Sequence, residues 1–323
     1  MKWVGSSFVL TVSLLGHAWA SDESGFVLDD DVIGATVTVN AAASETLLDV
    51  GRRFNLGFHD MQVANPDVDI WVPKDGAAVT LPLEFVLPAA PRRGVVLNLP
   101  EYRLYYFAGD GRVTTHPISI GRMDWETPLG ATRVTAKSRN PSWYVPQSIR
   151  DEHAADGDFL PAVVPPGPDN PLGTRALRLG LPGYLIHGTN RPAGVGMRVT
   201  HGCLRMFPED IEALFERVAV GTPVRIVNQP VKAGWTRGRL LLEVHPVLAS
   251  NAADEVEEGA VAAPPPDLLT EATRAIVAVT AERSAEIDWG RVEALVASAD
   301  GIPAIIGRDI QPTGVETGDP ASP

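Results

Sequence analysis

The 323-residue sequence contains a single cysteine, Cys203. One cysteine cannot form a disulfide within its own chain, so a fold held together by internal disulfides is excluded. Its thiol must be buried, reactive or paired with another chain. After the first 20 residues the sequence also lacks any run of about 18 apolar residues, the length that a membrane-spanning helix needs. We therefore predict no transmembrane segment in the mature chain.

Positive charge is scarce, and the negative charge is unevenly distributed. The chain has 27 basic and 40 acidic residues, a net charge of −13. Residues 251–323 contain fourteen acidic residues and four arginines, so the first 250 residues are nearly neutral. The sequence has no basic patch of the kind that binds nucleic acid, which excludes nucleic acid as an expected partner.

The first 20 residues have the three parts of a secretory signal peptide. Lys2 supplies a positive charge, residues 8–16 form an apolar run too short to span a bilayer, and Ala18-Trp19-Ala20 fits a small-x-small cleavage site. We expect cleavage after Ala20 and an exported, soluble mature protein. A buried first strand or helix is the alternative for this segment.

Residues 35–84 predict a small α+β unit in which Ser44 caps the first helix. The segments "ETLLDV", "ANPDVD" and "VTLP" resemble a LysM module, which binds the glycan of peptidoglycan or chitin, although Ser-Glu-Thr replaces the usual Gly-Asp-Thr. A structural spacer is the alternative. The predicted order is strand, helix, helix, strand over residues 36–40, 44–54, 59–66 and 78–82.

Residues 92–228 predict a mainly β domain of the sandwich type. Apolar and β-branched runs are separated by turn signals such as the Asp-Gly at 110–111. One prominent amphipathic helix is predicted over 208–219 and begins at Pro208. Residues 161–173 contain five prolines and predict an ordered loop over a site rather than a regular element.

Residues 229–323 are predicted to be a C-terminal extension. An acidic, proline-rich linker begins near residue 251, and helices are expected over 268–285 and 289–299. We find no chemistry in this segment and interpret it as a docked helix or a mobile appendage.

The cysteine lies in the stretch "HGTNRPAGVGMRVTHGCLRM", which also holds His187 and His201. A catalytic thiol needs a nearby base, and histidine is the side chain best suited to that role near neutral pH. Three interpretations remain open on the residues alone. Cys203 is buried and inert, or it binds zinc together with the two histidines, or it is the nucleophile of an acyl transfer.

This stretch resembles the signature of the YkuD-type L,D-transpeptidases. That signature is a histidine, a spacer, and then Ser/Thr-His-Gly-Cys followed by an aliphatic residue and often arginine. The match is His187 followed by residues 200–205, and "VPPGPDNPLG" at 164–173 is similar to a loop of the family. The resemblance covers roughly residues 35–250.

The resemblance implies a role for each residue of the signature. Cys203 is the nucleophile, and His187 is the general base, its ring oriented by the backbone carbonyl of Gly188. His201 supports the site and helps to polarise the bound peptide. The backbone N–H groups from Gly202 onward form the oxyanion hole.

Three further residues are expected to contact the substrate. These are Thr200, Leu204 and Arg205, of which Arg205 binds the substrate or fixes the loop. For Arg205 a structural salt bridge is the alternative. The resemblance implies neither a metal nor an organic cofactor.

The implied reaction is an acyl transfer on the tetrapeptide stems of peptidoglycan. Cys203 expels the terminal D-alanine, and an amine then takes the acyl group from the thioester. The amine belongs to another stem or to a lysine of an outer-membrane lipoprotein. The resemblance implies the periplasm of a Gram-negative bacterium and acylation by carbapenems. A hydrolase of the same fold and a non-catalytic wall-binding protein are the alternatives.

Overall fold

The computed structural model describes residues 25–42, 44–248 and 267–310. The predicted signal peptide at 1–20 and most of the predicted linker after residue 250 lie outside the described residues. Within the described part the chain builds three hydrophobic cores, one for each of three packed units. No helix there is both long enough and apolar enough to cross a membrane.

The first unit contains the expected succession of strand, helix, helix and strand. Strand β3 pairs with β4, and β2 pairs with β5, both antiparallel. The elements are β1 (Phe26–Val27), β2 (Val32–Gly34), β3 (Val37–Asn40), α1 (Leu47–Arg53), α2 (Phe58–Ala64), β4 (Ala78–Leu81) and β5 (Glu84–Val86).

The N-cap of α1 is Thr46, and the expectation of Ser44 is wrong. The Thr46 hydroxyl accepts a hydrogen bond from the Asp49 backbone N–H at 3.1 Å, and the Asp49 carboxylate accepts one from the Thr46 N–H at 2.9 Å. Such a reciprocal cap needs a polar acceptor three residues after the cap. Asp49 stands there for Thr46, whereas the apolar Leu47 stands there for Ser44.

The second unit is mainly β, as predicted. Nine strands, including β1 of the first unit, pair in the order β1-β8-β7-β6-β17-β10-β13-β14-β16. The elements are β6 (Gly94–Asn98), β7 (Arg103–Phe107), β8 (Arg112–Pro117), β9 (Ile120–Gly121), β10 (Gly130–Arg139), β11 (Trp143–Tyr144), α3 (Gln147–Ala155), β12 (Val163–Val164), β13 (Arg175–Leu179), β14 (Leu185–His187), β15 (Arg198–Thr200), β16 (Leu204–Arg205), α4 (Pro208–Arg217) and β17 (Pro223–Val227).

Instead of two separate sheets, these strands form one continuous sheet that curls around a core. Leu104 of β7, the third strand, and Leu204 of β16, the last strand, belong to the same buried cluster, together with Ile211 and Leu214 of α4. Helix α4 begins at Pro208 as expected. Helix α3 is a second helix that the sequence prediction missed. Two residues of the proline-rich segment 161–173 form strand β12, which pairs with β11.

The third unit replaces the expected appendage with an antiparallel sheet of order β18-β19-β21-β20. Two helices cover the sheet and enclose a core that includes Trp235, Leu242 and Ile306. Both helices begin where the sequence predicted them, but the first ends at Thr280 rather than at residue 285, and Ala285 is the first residue of the strand that follows. The elements are β18 (Val231–Thr236), β19 (Arg239–Val244), α5 (Leu268–Thr280), β20 (Ala285–Ile287), α6 (Trp289–Ser298) and β21 (Ala304–Asp309).

Candidate active site

The cysteine and His187 lie on adjacent strands of the curled sheet. Strands β14 and β16 are parallel, with Ile186 opposite Leu204 and His187 opposite Arg205. Ile186 and Leu204 are fully buried in the core. Because side chains alternate between the faces of a strand, His187 and Arg205 project from the opposite face, and so does Cys203, which directly precedes β16. The structure thus gathers the three predicted residues on one face.

His187 is buried, and its ring is held by the backbone. Nδ1 lies 2.7 Å from the carbonyl oxygen of Gly188, as the resemblance implied. Since a carbonyl only accepts hydrogen bonds, Nδ1 carries the proton of the neutral ring and Nε2 keeps a free lone pair. Burial, and next the positive charge of Arg205, lower the pKa of His187 to about 4. The ring is therefore neutral near pH 7 and able to accept a proton.

Cys203 is partly exposed, and its thiol is protonated at rest. Burial raises the pKa of the thiol, while a hydrogen bond to the backbone of Leu185 and the charge of Arg205 oppose this rise. Sγ lies 3.5 Å from the carbonyl oxygen of Gly183, which it can donate to. A protonated thiol is a poor nucleophile, so attack at this site needs a base that removes the proton.

The turn before the cysteine requires glycine at position 202. Gly202 has a φ of +89°, and a Cβ there would lie 2.8 Å from the Tyr184 ring. The Thr127 hydroxyl donates to the Gly202 carbonyl oxygen at 2.9 Å, and the Thr200 hydroxyl donates to the Cys203 carbonyl oxygen at 2.5 Å. In a trans peptide the N–H points away from the C=O. Thr127 therefore fixes the direction in which the Cys203 N–H points.

His201 contacts a group of residues that the sequence prediction missed. Its Nε2 lies 3.2 Å from the carboxylate of Glu152 in α3, and the same carboxylate pairs with Arg122 at 2.5 Å. The Trp125 ring also packs against the imidazole in a T-shaped arrangement, with 5.3 Å between centroids. Burial, and next the charge of Arg122, lower the pKa of His201, while Glu152 opposes them.

Arg205 lacks the salt bridge that was its structural alternative. Its Nε is buried without a hydrogen-bond partner, and no described residue forms an ion pair with it. Its backbone exchanges two hydrogen bonds with Ser119. Burial, and next the positive charge of Arg191, lower the pKa of the Arg205 guanidinium. The side chain is thus a largely buried cation without an anion.

The proline-rich segment borders the site at its C-terminal end. A Cβ on Gly173 would lie 2.8 Å from the backbone nitrogen of Thr189, two residues after His187. The buried side-chain amide of Asn170 donates to the backbone carbonyls of Pro141 and Pro165, at 2.9 and 3.1 Å. Gly173 thus lies against the chain that follows β14, while the Asn170 bonds tie the segment to itself and to the chain that follows β10.

The three residues of the possible zinc site do not form a compact set of ligands. Among the described residues, one group of three has donor atoms within 4.8 Å of one another, namely Glu101, Glu243 and His245. It includes neither Cys203 nor the histidines of its stretch. The arrangement around Cys203 suits proton transfer between a thiol and an imidazole better than metal binding.

Comparison with known proteins agrees with this geometry. The family model for the L,D-transpeptidase catalytic domain, YkuD, matches residues 92–226. Three probable L,D-transpeptidases of Escherichia coli strain K12 are similar over longer stretches. YcfS is 45% identical over 64% of this chain and 66% of its own length. ErfK/SrfK is 38% identical over 84% and 85%, and YbiS is 39% identical over 76% and 80%. The chain belongs to the L,D-transpeptidase family.

Proposed function

We propose that this protein is a cysteine-dependent L,D-transpeptidase that acts on the tetrapeptide stems of peptidoglycan. The observation that carries the proposal is the placement of Cys203 and His187 on one face of two adjacent strands, with Nδ1 of His187 bound to the Gly188 carbonyl. Membership of the L,D-transpeptidase family supports the same reaction.

In the first step the Cys203 thiol attacks the carbonyl of the third residue of the stem. The proton of Sγ passes to Nε2 of His187, the S–C bond forms, and the bond to the terminal D-alanine breaks. His187 then gives the proton to the nitrogen that leaves. The low pKa of His187 supports this role, because a neutral imidazole can accept the proton and its conjugate acid releases it readily.

The charge that develops on the carbonyl oxygen needs hydrogen-bond donors in fixed positions. We assign this task to the backbone N–H groups from Gly202 to Leu204. The hydroxyls of Thr127 and Thr200 support the assignment, since they hold the carbonyls of this turn and with them the orientation of its peptide planes. We therefore propose that Thr200 acts on the reaction through the backbone of this turn.

In the second step an amine attacks the thioester and takes the acyl group. The amine is the side chain of another stem, which gives a cross-link, or a lysine of an outer-membrane lipoprotein, which gives a tether. Both would be met in the periplasm, to which the predicted signal peptide directs the chain. The thioester would equally be formed from a carbapenem, whose strained lactam carbonyl is a similar electrophile.

The first unit is proposed to bind the glycan that carries the stems, as a LysM-like module. Between this unit and the second lies a groove of about 270 Å³. Phe58 and Trp71 line one side of it, and Pro192 and Phe207 line the other. Trp71 is 56% exposed, and an exposed indole offers a flat apolar surface to a sugar ring. The groove ends at the loop that leads from His187 to Cys203.

The test of the glycan groove is the substitution Trp71→Ala. We expect it to weaken binding to purified sacculi and to leave acylation by a glycan-free tetrapeptide unchanged. Trp289→Ala is the matched control, because Trp289 is 45% exposed in the third unit. Equal binding by the two variants and the wild type would show that the first unit is a spacer.

The test of the reaction is the intact mass of the protein after incubation with a disaccharide-tetrapeptide. We expect an adduct equal to the stem less D-alanine on the wild type, and none on Cys203→Ala. Tripeptide release without any joined product, even with an amine acceptor present, would favour the hydrolase. Absence of both adduct and free D-alanine, with intact sacculus binding, would favour the wall-binding protein.

A further inference from the structure

The face that carries Cys203 and His187 also carries an arginine with no anion. Arg205 lies opposite His187 in the register of β14 and β16 and follows Cys203 by two residues in the same strand direction. Two residues of a strand span about 6.6 Å. The Arg205 side chain therefore lies within reach of a group bound next to the thiol.

A tight turn brings a second arginine, Arg191, close to Arg205. The N–H of Gly194 donates to the carbonyl oxygen of Arg191 at 3.2 Å and closes the turn. The Nη1 atom of Arg205 lies 3.5 Å from where a Cβ on Gly194 would stand, so the guanidinium packs on this turn. Each arginine is without an ion pair among the described residues.

The charge of Arg191 acts on the Arg205 guanidinium and lowers its pKa, and two such cations without a counter-ion favour an anion between them. The buried Nε of Arg205 lacks a partner, and leaving a buried donor unsatisfied costs about 1–3 kcal/mol. A carboxylate can accept from Nε and a terminal nitrogen of the same guanidinium, a geometry that arginine provides and lysine does not. The site thus fits a carboxylate better than a neutral amide.

We propose that Arg205 and Arg191 bind the C-terminal carboxylate of the donor stem and thereby select a stem that ends one residue after the bond that breaks. This inference rests on the proposed function and adds to it a preference for donor stems of one length. In the first step the leaving nitrogen takes its proton from His187, which lies beside Arg205. The carboxylate of the leaving residue is within about 4 Å of the attacked carbonyl carbon. In a stem with a further residue, an uncharged amide replaces that carboxylate.

The test compares two donors that differ only in this charge. One is the disaccharide-tetrapeptide, and the other is the same molecule with a C-terminal carboxamide. For the wild type we expect kcat/KM of acyl-enzyme formation to be about 10- to 100-fold higher with the carboxylate donor, the factor expected for hydrogen bonds to a charged group. A pentapeptide donor should behave like the carboxamide.

Arg205→Gln should bring the ratio of the two donors to about 1, because it slows the carboxylate donor far more than the carboxamide donor. Arg191→Gln should lower the ratio by a smaller factor, because Arg191 is exposed. Arg178→Gln is the matched control, since Arg178 is an exposed arginine of the same sheet and should leave the ratio unchanged. An equal loss with both donors in Arg205→Gln would assign Arg205 a structural role and overturn the proposal.

Binding separates this inference from the proposed reaction. Calorimetry with Cys203→Ala, which cannot react, should give tighter binding of the tetrapeptide than of its carboxamide. Equal affinities, together with equal wild-type kcat/KM for the two donors, would overturn the carboxylate site while leaving acyl transfer intact. If Cys203→Ala bound the tetrapeptide more tightly than its carboxamide but the wild type formed no acyl-enzyme, the proposed reaction would be overturned and the carboxylate site retained.

Discussion

A histidine that takes a proton from a thiol must itself be neutral when the substrate arrives. Burial and the charge of Arg205 give His187 a pKa of about 4, and burial raises the pKa of Cys203. The two groups therefore rest as imidazole and thiol rather than as an ion pair. In the proposed reaction, attack then depends on proton transfer from the thiol to the imidazole and not on a thiolate that is already present.

This resting state predicts the pH dependence of acylation. Protonated His187 cannot accept the thiol proton, so activity is lost as the pH falls through about 4. We expect the rate of acyl-enzyme formation, measured by mass spectrometry after quenching, to be nearly constant from about pH 6 to 8. In Arg205→Gln the midpoint of the acid limb should move upward, because the arginine charge helps to lower the pKa. A wild-type midpoint near the ordinary histidine value of about 6.5 would contradict the assignment.

Gly202 and Gly109 have nearly the same φ, so substitutions at the two positions distinguish backbone strain from a steric clash. Gly202 has a φ of +89° and Gly109 a φ of +88°, but a Cβ would meet the Tyr184 ring only at position 202, and nothing lies within 4 Å of one at position 109. Gly109→Ala should cost about 1 kcal/mol of unfolding free energy and leave acylation unchanged.

Gly202→Ala should slow acylation by about 100-fold or more, because the turn that orients the Cys203 N–H must move. Urea unfolding and the acylation rate are measured on both variants. The idea fails if the two variants acylate at the same rate.

Helix α3 carries Glu152, which contacts His201, but its sequence gives little sign that a helix forms there. Its nine residues "QSIRDEHAA" bury a single side chain, Ile149, so they have no apolar stripe from which a helix could be predicted. Glu152 reaches His201 across 49 positions of sequence. No local pattern encodes such a contact, whereas α4 buries Ile211, Leu214 and Phe215 at helical spacing and was predicted with its first residue.

We expect Glu152 to act on the reaction only through His201. Glu152→Gln should slow acylation less than His201→Gln does, and the double variant should be no slower than His201→Gln alone. Residues that act through one another give such non-additive effects. Acylation rates are measured for the wild type, the two single variants and the double variant, and Asp151→Asn in the same helix is the control. Additive losses would mean that Glu152 has a role of its own.

The juxtaposition of Cys203 with His187, and the β strands, could be predicted because their signals are local in the sequence. Strands β6 and β7 are short apolar runs in the sequence. The structure buries both faces of these strands, because Val95 belongs to the core of the second unit and Val96 to the core of the first unit. The third unit had weaker signals. Its β18–β19 hairpin turns at Arg237-Gly238, where Arg237 takes a φ of +47°, a conformation that asparagine or aspartate signals more clearly than arginine.

At the scale of the whole molecule, one buried lysine joins the three units. Nζ of Lys232 in β18 lies 2.8 Å from carboxylate oxygens of both Glu101 and Glu243. Glu243 also accepts a hydrogen bond of 2.6 Å from the backbone N–H of Val86 in β5. Glu101 follows β6, so the contacts reach all three units. Burial by itself would raise the pKa of Glu101, and the Lys232 ammonium is the main cation that holds it below its usual value.

Lys232→Met should destabilise the molecule as a whole. Removing the ammonium takes away the cation that the two buried carboxylates share, and breaking a buried ion pair in this way costs about 3–5 kcal/mol. The control is Arg308→Met, which breaks the exposed ion pair with Glu286 and should cost less than about 1 kcal/mol. Both values come from urea unfolding followed by fluorescence. Because the Glu101 carboxylate, whose pKa Lys232 holds down, becomes neutral in acid, the loss in Lys232→Met should shrink as the pH is lowered. A loss as small as that of the control would mean that the units pack independently of this contact.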